Sequence, residues 1–350
     1  MMTAPSPEPD IAWCHEAVQD VSRTFALTVD VLEEPMSSHI CLGYLLCRVA
    51  DTIEDAGHVS PESQVKLLRT FDAALDPASN GTMNEFRAAV DGWLPSSADR
   101  SADWSVVAQS PTIWATFTNQ PESVQTAVIP LVREMVDGMT MFVERYADTG
   151  GLRINDRSEL EQYCYYAAGT VGRLITNLLT RGNVSQKRAQ RLYNTADEFG
   201  LLLQMVNVSK DVYDDYTEEN NVYLPAEWLA DEEIDQESIL RTDNREPAAN
   251  VVERTASYAG TFLDDAQAYI KAMPLTHGNT MAAWSIPYLL GVGTIRELHT
   301  RPEDALTESG VKISRREVIA VMEAASTADR NAIAELRKTI AHKPYHQALN

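Results

Sequence analysis

Residues 38–56 read SHICLGYLLCRVADTIEDA. Their apolar members recur at helical spacing instead of alternating, so the stretch predicts a long helix buried on most of its faces. Three acids, Asp51, Glu54 and Asp55, close the run. Spaced i, i+3 and i+4, they project from about one face. An unpaired buried carboxylate is costly, so that face needs solvent at the helix end, neighbouring arginines, or a metal ion.

A second stretch, LQMVNVSKDVYDDY at 203–216, repeats the pattern with Asp211, Asp214 and Asp215 at the end of another apolar helix. Asn207 and Gln204 extend the same face backward as a polar stripe. Pairs of carboxylates suit Mg²⁺, which keeps several waters and bridges one or two carboxylates to phosphate oxygens. Two solvated helix ends with local arginine pairing explain either cluster alone, but explain both less well, because the apolar periodicity continues around each. Arg48, Lys210 and Arg23, with the Ser22 hydroxyl beside Arg23, are candidate phosphate contacts. Taken singly, each fits equally well as a neutraliser of nearby acids. In YCYYAAGTVGRL (163–174), Tyr163 and Tyr166 lie one helical turn apart, and Ala168, Gly169 and Gly172 leave a face with little side chain. That face predicts close helix packing, and it also leaves room for a long apolar chain beside a phenol.

Helical periodicity runs through almost all of the 350 residues, and alternating strand patterns are nearly absent. The fold class is therefore all-α, with helices expected near 10–20, 35–56, 60–75, 121–147, 158–181, 186–216, 248–273, 277–299 and 314–340. One helical domain at 11–342 is the simplest organisation, with a disordered lead at 1–10 and a tail at 343–350. The formal charge of −22 argues against nucleic-acid or anionic-membrane binding, which need a cationic surface. With 7 Lys against 22 Arg, the acid excess suits a protein that stays soluble in high salt, as in a halophile. Cys14, Cys41, Cys47 and Cys164 sit in apolar surroundings without C-x-x-C spacing and read as buried thiols of a reducing, cytoplasmic interior. MMTAPSPEPD (1–10) has no signal-peptide character, and MAAWSIPYLLGVGTI (281–295) is short for a bilayer span and carries Pro287.

P-loop, G-x-S-x-G and H-E-x-x-H patterns are missing, and the seven histidines are scattered. With VSRTFAL, YLLCRVADTIEDA, YCYYAAGTVG, LQMVNVSKDVYDDY and VYLP in this order, the chain resembles the squalene and phytoene synthases. These are head-to-head prenyl transferases of the isoprenoid-synthase helical bundle, and the resemblance runs over about residues 12–325. It implies a central cavity in which Asp51, Glu54 and Asp55 face Asp211 and Asp215 across Mg²⁺. It also implies two farnesyl diphosphates as substrates and presqualene diphosphate as intermediate. By the same carry-over Tyr163 and Tyr44 are catalytic, and the diphosphate meets Ser22, Arg23, Arg48, Gln204, Asn207 and Lys210.

Three stretches lean toward the squalene branch, which finishes with NADPH: DTIED (51–55), PTIWATF (111–117) followed by GMTMFVER (138–145), and GVKISRRE (310–317). Lys312 and Arg315 are then expected at the nucleotide phosphates, with Arg23, Arg48 and Lys210. Departures from the family pattern weaken that ending: Lys210 stands where Arg is common, Asn220 and Asn221 precede VYLP in place of Arg, and Ser314 interrupts the basic stretch. The same motifs leave open a phytoene or dehydrosqualene synthase, which omits the reduction, and a non-catalytic helical scaffold of the same fold. No membrane helix follows residue 300, so bilayer contact is expected to be peripheral at most.

Overall fold

The computed structural model describes residues 8–96, 100–182, 184–274 and 279–348, with Arg23 described by its backbone alone. Much of the expected N-terminal lead therefore lies outside the described residues. The all-α expectation holds: among the described residues no β-strand forms, and an isolated bridge pairs Arg153 with Val222. No described helix is long and apolar enough to cross a membrane.

The stretch that predicts the fold becomes the helix Met36–Glu54, which is buried at nearly every position and so runs through the interior. Around it the chain closes a ring. Met36–Glu54 packs on Glu122–Arg145 and on Thr170–Thr180, and a π-helical turn at Tyr165–Gly169 packs on Ala196–Lys210. Ala196–Lys210 packs on Thr280–Thr300, which packs on Arg23–Val31, and this last helix returns to Met36–Glu54. A smaller apolar core built from Val212, Val222, Leu224, Trp228, Leu229 and Val252 lies beside the principal one. The extended segment between Asn220 and Pro225 runs between the two cores. Its side chains alternate, with Val222 and Leu224 in the smaller core and Tyr223 in the principal one.

The expected helix at 158–181 is interrupted where Tyr165–Gly169 takes the wider π turn between Arg157–Cys164 and Thr170–Thr180. Small residues make this possible. A Cβ on Gly200 would lie 2.3 Å from the Ala168 carbonyl oxygen, and one on Gly172 would lie 2.3 Å from that of Ala196. The helix expected at 186–216 breaks twice, giving Gln186–Tyr193, Ala196–Lys210 and Val212–Glu218; the second break is at Asp211, whose φ and ψ of −104° and 16° leave the helical region. Residues 248–273 and 314–340 also divide, at Thr261–Phe262 and at Ala328–Asn331. Arg23–Val31, Met83–Val90, Ala102–Ala108, Ser110–Thr118 and Ala226–Asp231 form helices beyond those expected, and Tyr345–Ala348 adds a last turn.

Candidate active site

The helical ring encloses a cavity of about 620 Å³, within the range of small-molecule sites. Phe25, Ile175, Phe199, Leu203, Trp284 and Leu290 form its apolar wall, and Asp51, Asp55, Asp211, Asp214, Asp215 and Glu219 crowd its other end. Both acidic stretches therefore converge, because each ends its apolar helix at the same mouth. Ser22, Tyr44, Arg48, Tyr163, Gln204, Asn207 and Lys210 also line the space. The Arg23 side chain lies outside the described residues.

Arg48 donates to Asp51 at 2.5 Å and to Asp103 at 2.7 Å, so one guanidinium holds the first acidic face against the helix Ala102–Ala108. Lys210 is ion-paired with its neighbour Asp211. Ser22 accepts from the Phe25 N–H at 3.3 Å as the N-cap of Arg23–Val31, which places its hydroxyl at the cavity edge. The Tyr44 ring stacks on Phe25 with centroids 4.0 Å apart, and burial pushes its phenol pKa upward.

These two cations do not balance the acids. Burial, then Asp51, lifts the Asp55 pKa to about 7, and burial, then Asp55 and Asp215, lifts that of Glu219 to about 10. Asp215 rises well above the usual carboxylate range for the same reasons, with Asp211 the first of its neighbours. An all-oxygen donor set with surplus negative charge fits a hard divalent cation. Among the described residues no three His, Cys, Asp or Glu side chains converge on one point, and Mg²⁺ does not require it, since one or two carboxylates and several waters suffice.

Glu54 corrects the expectation that all three acids share the metal-facing side. It lies about 60° round the helix from Asp51, is 3% exposed, and does not line the cavity. Its Oε2 instead accepts from the Tyr163 hydroxyl at 3.3 Å. The Tyr163 and Tyr223 oxygens are 2.9 Å apart, and Asn221 donates to Tyr223 at 3.1 Å. Burial, then Glu54, raises the Tyr163 pKa well above that of a free phenol. Glu219, Tyr223 and Asp103 are site residues that sequence reasoning did not single out. Only Tyr223 carried a signal, as the aromatic of the quoted VYLP.

Lys312 and Arg315 do not line the cavity. Both are exposed, and Arg315 opens the helix Arg315–Thr327. Lys312 comes nearer, with its Cε and the Lys210 carbonyl oxygen both within 4 Å of where a Cβ on Gly310 would sit. Neither residue belongs to the cavity, so neither contributes a nucleotide contact inside it.

A profile of the family described as squalene/phytoene synthase matches residues 18–317. The chain is similar to the squalene synthase of Schizosaccharomyces pombe, 21% identical over 89% of this chain and 64% of that protein. It is 23% identical to the squalene synthase of Homo sapiens over 88% of this chain and 68% of that protein. Against the presqualene diphosphate synthase of Botryococcus braunii the identity is 27%, over 62% of this chain and 48% of that protein. The chain thus spans less than two thirds of the yeast and algal relatives. In fold it matches a ligand complex of TcSQS (TM-score 0.79, 20% identity, 94% of this chain and 89% of that one). A dehydrosqualene synthase with ligand matches with TM-score 0.57 and 18% identity, over 97% of this chain and 96% of that one.

Proposed function

The chain belongs to the squalene/phytoene synthase family, and from that premise we propose that it joins two farnesyl diphosphates head to head into presqualene diphosphate and carries this to squalene with NADPH. The observation that supports the coupling step is one cavity with acids crowded at one end and an apolar wall at the other. That division matches a substrate with a diphosphate head and a prenyl tail.

Asp51 and Asp55 on one side, and Asp211 and Asp215 on the other, would hold Mg²⁺. When bound, the ion supplies positive charge to the departing diphosphate. Arg48 keeps Asp51 oriented, and Lys210 adds a cation at the opposite face. Phe25, Phe199 and Trp284 exclude water from the allylic cation, which water would otherwise quench. Tyr163 places a neutral phenol and a ring face beside it, where the aromatic quadrupole attracts positive charge.

The exposed positions of Lys312 and Arg315 favour a second reading, in which the same coupling ends without reduction, as in a dehydrosqualene or phytoene synthase. Purified protein incubated with farnesyl diphosphate and Mg²⁺, with and without NADPH, separates the two. Squalene formed only with NADPH supports the first reading. The same polyene in both tubes supports the second, and turnover of geranylgeranyl diphosphate alone would point to phytoene.

A further inference from the structure

Three helices meet the cavity with an aromatic ring at the end away from the acids. The first residue of Met36–Glu54 to line it is Tyr44, that of Ala196–Lys210 is Phe199, and that of Thr280–Thr300 is Trp284. Phe25 stacks on Tyr44 and lies tilted against Trp284 with centroids 6.1 Å apart, and Phe199 meets Trp284 edge-on at 6.3 Å. Behind these rings Phe199 rests on Tyr269 at 5.0 Å, and the Tyr269 hydroxyl is 2.8 Å from that of Thr176. Trp284 is 2% exposed and is the largest fully buried side chain among the described residues. Its Nε1–H meets no acceptor among them. A buried indole usually finds one, so hydrogen bonding does not account for a tryptophan here, whereas its bulk does.

The depth of the cavity says what that bulk is for. From Phe199 to Asp211 the chain advances about 18 Å at 1.5 Å per residue, and a diphosphate head at the acids takes roughly one turn of that, leaving about 13 Å. At about 1.2 Å per extended bond, a farnesyl backbone spans roughly 13 Å and a geranylgeranyl backbone roughly 5 Å more. We infer that Trp284 is a specificity-determining residue, the stop that holds the prenyl tail to the farnesyl length and turns geranylgeranyl away. This rests on the reading of the cavity as a prenyl diphosphate site. The residues around a truncated core side chain relax only partly, so Trp284→Ala leaves space where the longer tail would end.

The test is the affinity, in Mg²⁺, for the thiolo analogues of farnesyl and geranylgeranyl diphosphate, whose bridging sulfur keeps them from ionising, followed by turnover of the two natural diphosphates. We expect the parent to favour the farnesyl analogue by about 100-fold. Trp284→Ala and Trp284→Leu should bring the two within about tenfold by tightening the longer one, and should couple geranylgeranyl diphosphate. Trp284→Leu carries the test if Trp284→Ala does not fold, and Trp284→Phe, which keeps a ring, should retain most of the preference. Phe86→Ala is the control for lost core packing, since Phe86 is fully buried against Phe71 and does not line the cavity. A parent that binds both analogues equally, an unchanged ratio in folded Trp284→Ala or Trp284→Leu, or the same change in Phe86→Ala overturns the inference. Binding reads the cavity without chemistry, so a parent that shows the expected preference yet makes no coupled product counts against the proposed function alone.

Discussion

Gly200→Ala tests how closely the site depends on the helix crossing behind it. The added Cβ would lie 2.3 Å from the Ala168 carbonyl oxygen, 2.6 Å from its carbonyl carbon and 2.7 Å from the Gly169 Cα. All three are backbone atoms of the π turn, so no side chain can swing aside. Ordinary contact begins near 3.4 Å, and the two segments must separate by roughly 1 Å. Overpacking of this kind costs about 1–3 kcal/mol, which for a chain of this length lowers Tm by roughly 1.5–4 °C. The larger effect is on rate. Tyr163 sits just before the π turn, and Gln204 and Asn207 lie along the displaced helix, so a shift near 1 Å lowers kcat by about 100-fold. Thermal unfolding by circular dichroism and steady-state turnover of farnesyl diphosphate measure the two effects. Gly260→Ala serves as the control, because its Cβ meets nothing within 4 Å; it should raise stability by about 0.4–1 kcal/mol and leave kcat alone. Near-parental kcat and Tm in Gly200→Ala would refute the claim that this crossing sets the site's geometry.

Three further expectations follow from the geometry. Asp51→Ala and Asp211→Ala each abolish turnover with unchanged helical content, and parental rates in either variant would remove the metal assignment. Because burial and neighbouring acids raise the native pKa of Asp55 from 3.8 to about 7 and of Glu219 from 4.5 to about 10, the native state binds more protons than the unfolded chain across those windows. Stability is then fullest below pH 4 for these groups and declines as pH rises toward 7 and beyond; Mg²⁺ should raise Tm more at pH 8 than at pH 5, and a Tm insensitive to Mg²⁺ at both would contradict this. Arg296 donates to Glu317 at 2.8 Å and to the Ile340 carbonyl at 2.7 Å inside the protein. Arg296→Ala leaves Glu317 buried without its cation and should cost about 3–5 kcal/mol, read by urea denaturation, and a loss under 1 kcal/mol would show that the pair is not holding the C-terminal helices.

The parts of the site that sequence made legible are those written in helical periodicity. Asp51 and Asp55 fall four residues apart, as do Asp211 and Asp215, and regular spacing carries direct information about a shared face. Glu54 shows the limit of that argument, since i+3 is close enough to join the face and far enough to turn behind it, and only packing against Tyr163 decides. The break at Tyr165–Gly169 was hidden because apolar periodicity runs unchanged through it; it lies where the backbone of Ala168 closes on that of Gly200. Asn221 and Tyr223 lie in an irregular segment whose alternation has meaning only once two cores flank it. Asp103, on a short helix after a loop, reaches the site by pairing with Arg48 across 55 positions of sequence.

We propose that the crowded acids and the apolar wall form one prenyl-coupling site. Its most direct test is the product made from farnesyl diphosphate without NADPH, compared in Mg²⁺ and in excess chelator. The structure leads us to expect presqualene diphosphate, or a polyene made from it, in the first case and unreacted substrate in the second. Coupled product of equal yield in chelator, or no coupling in either tube, would contradict the account.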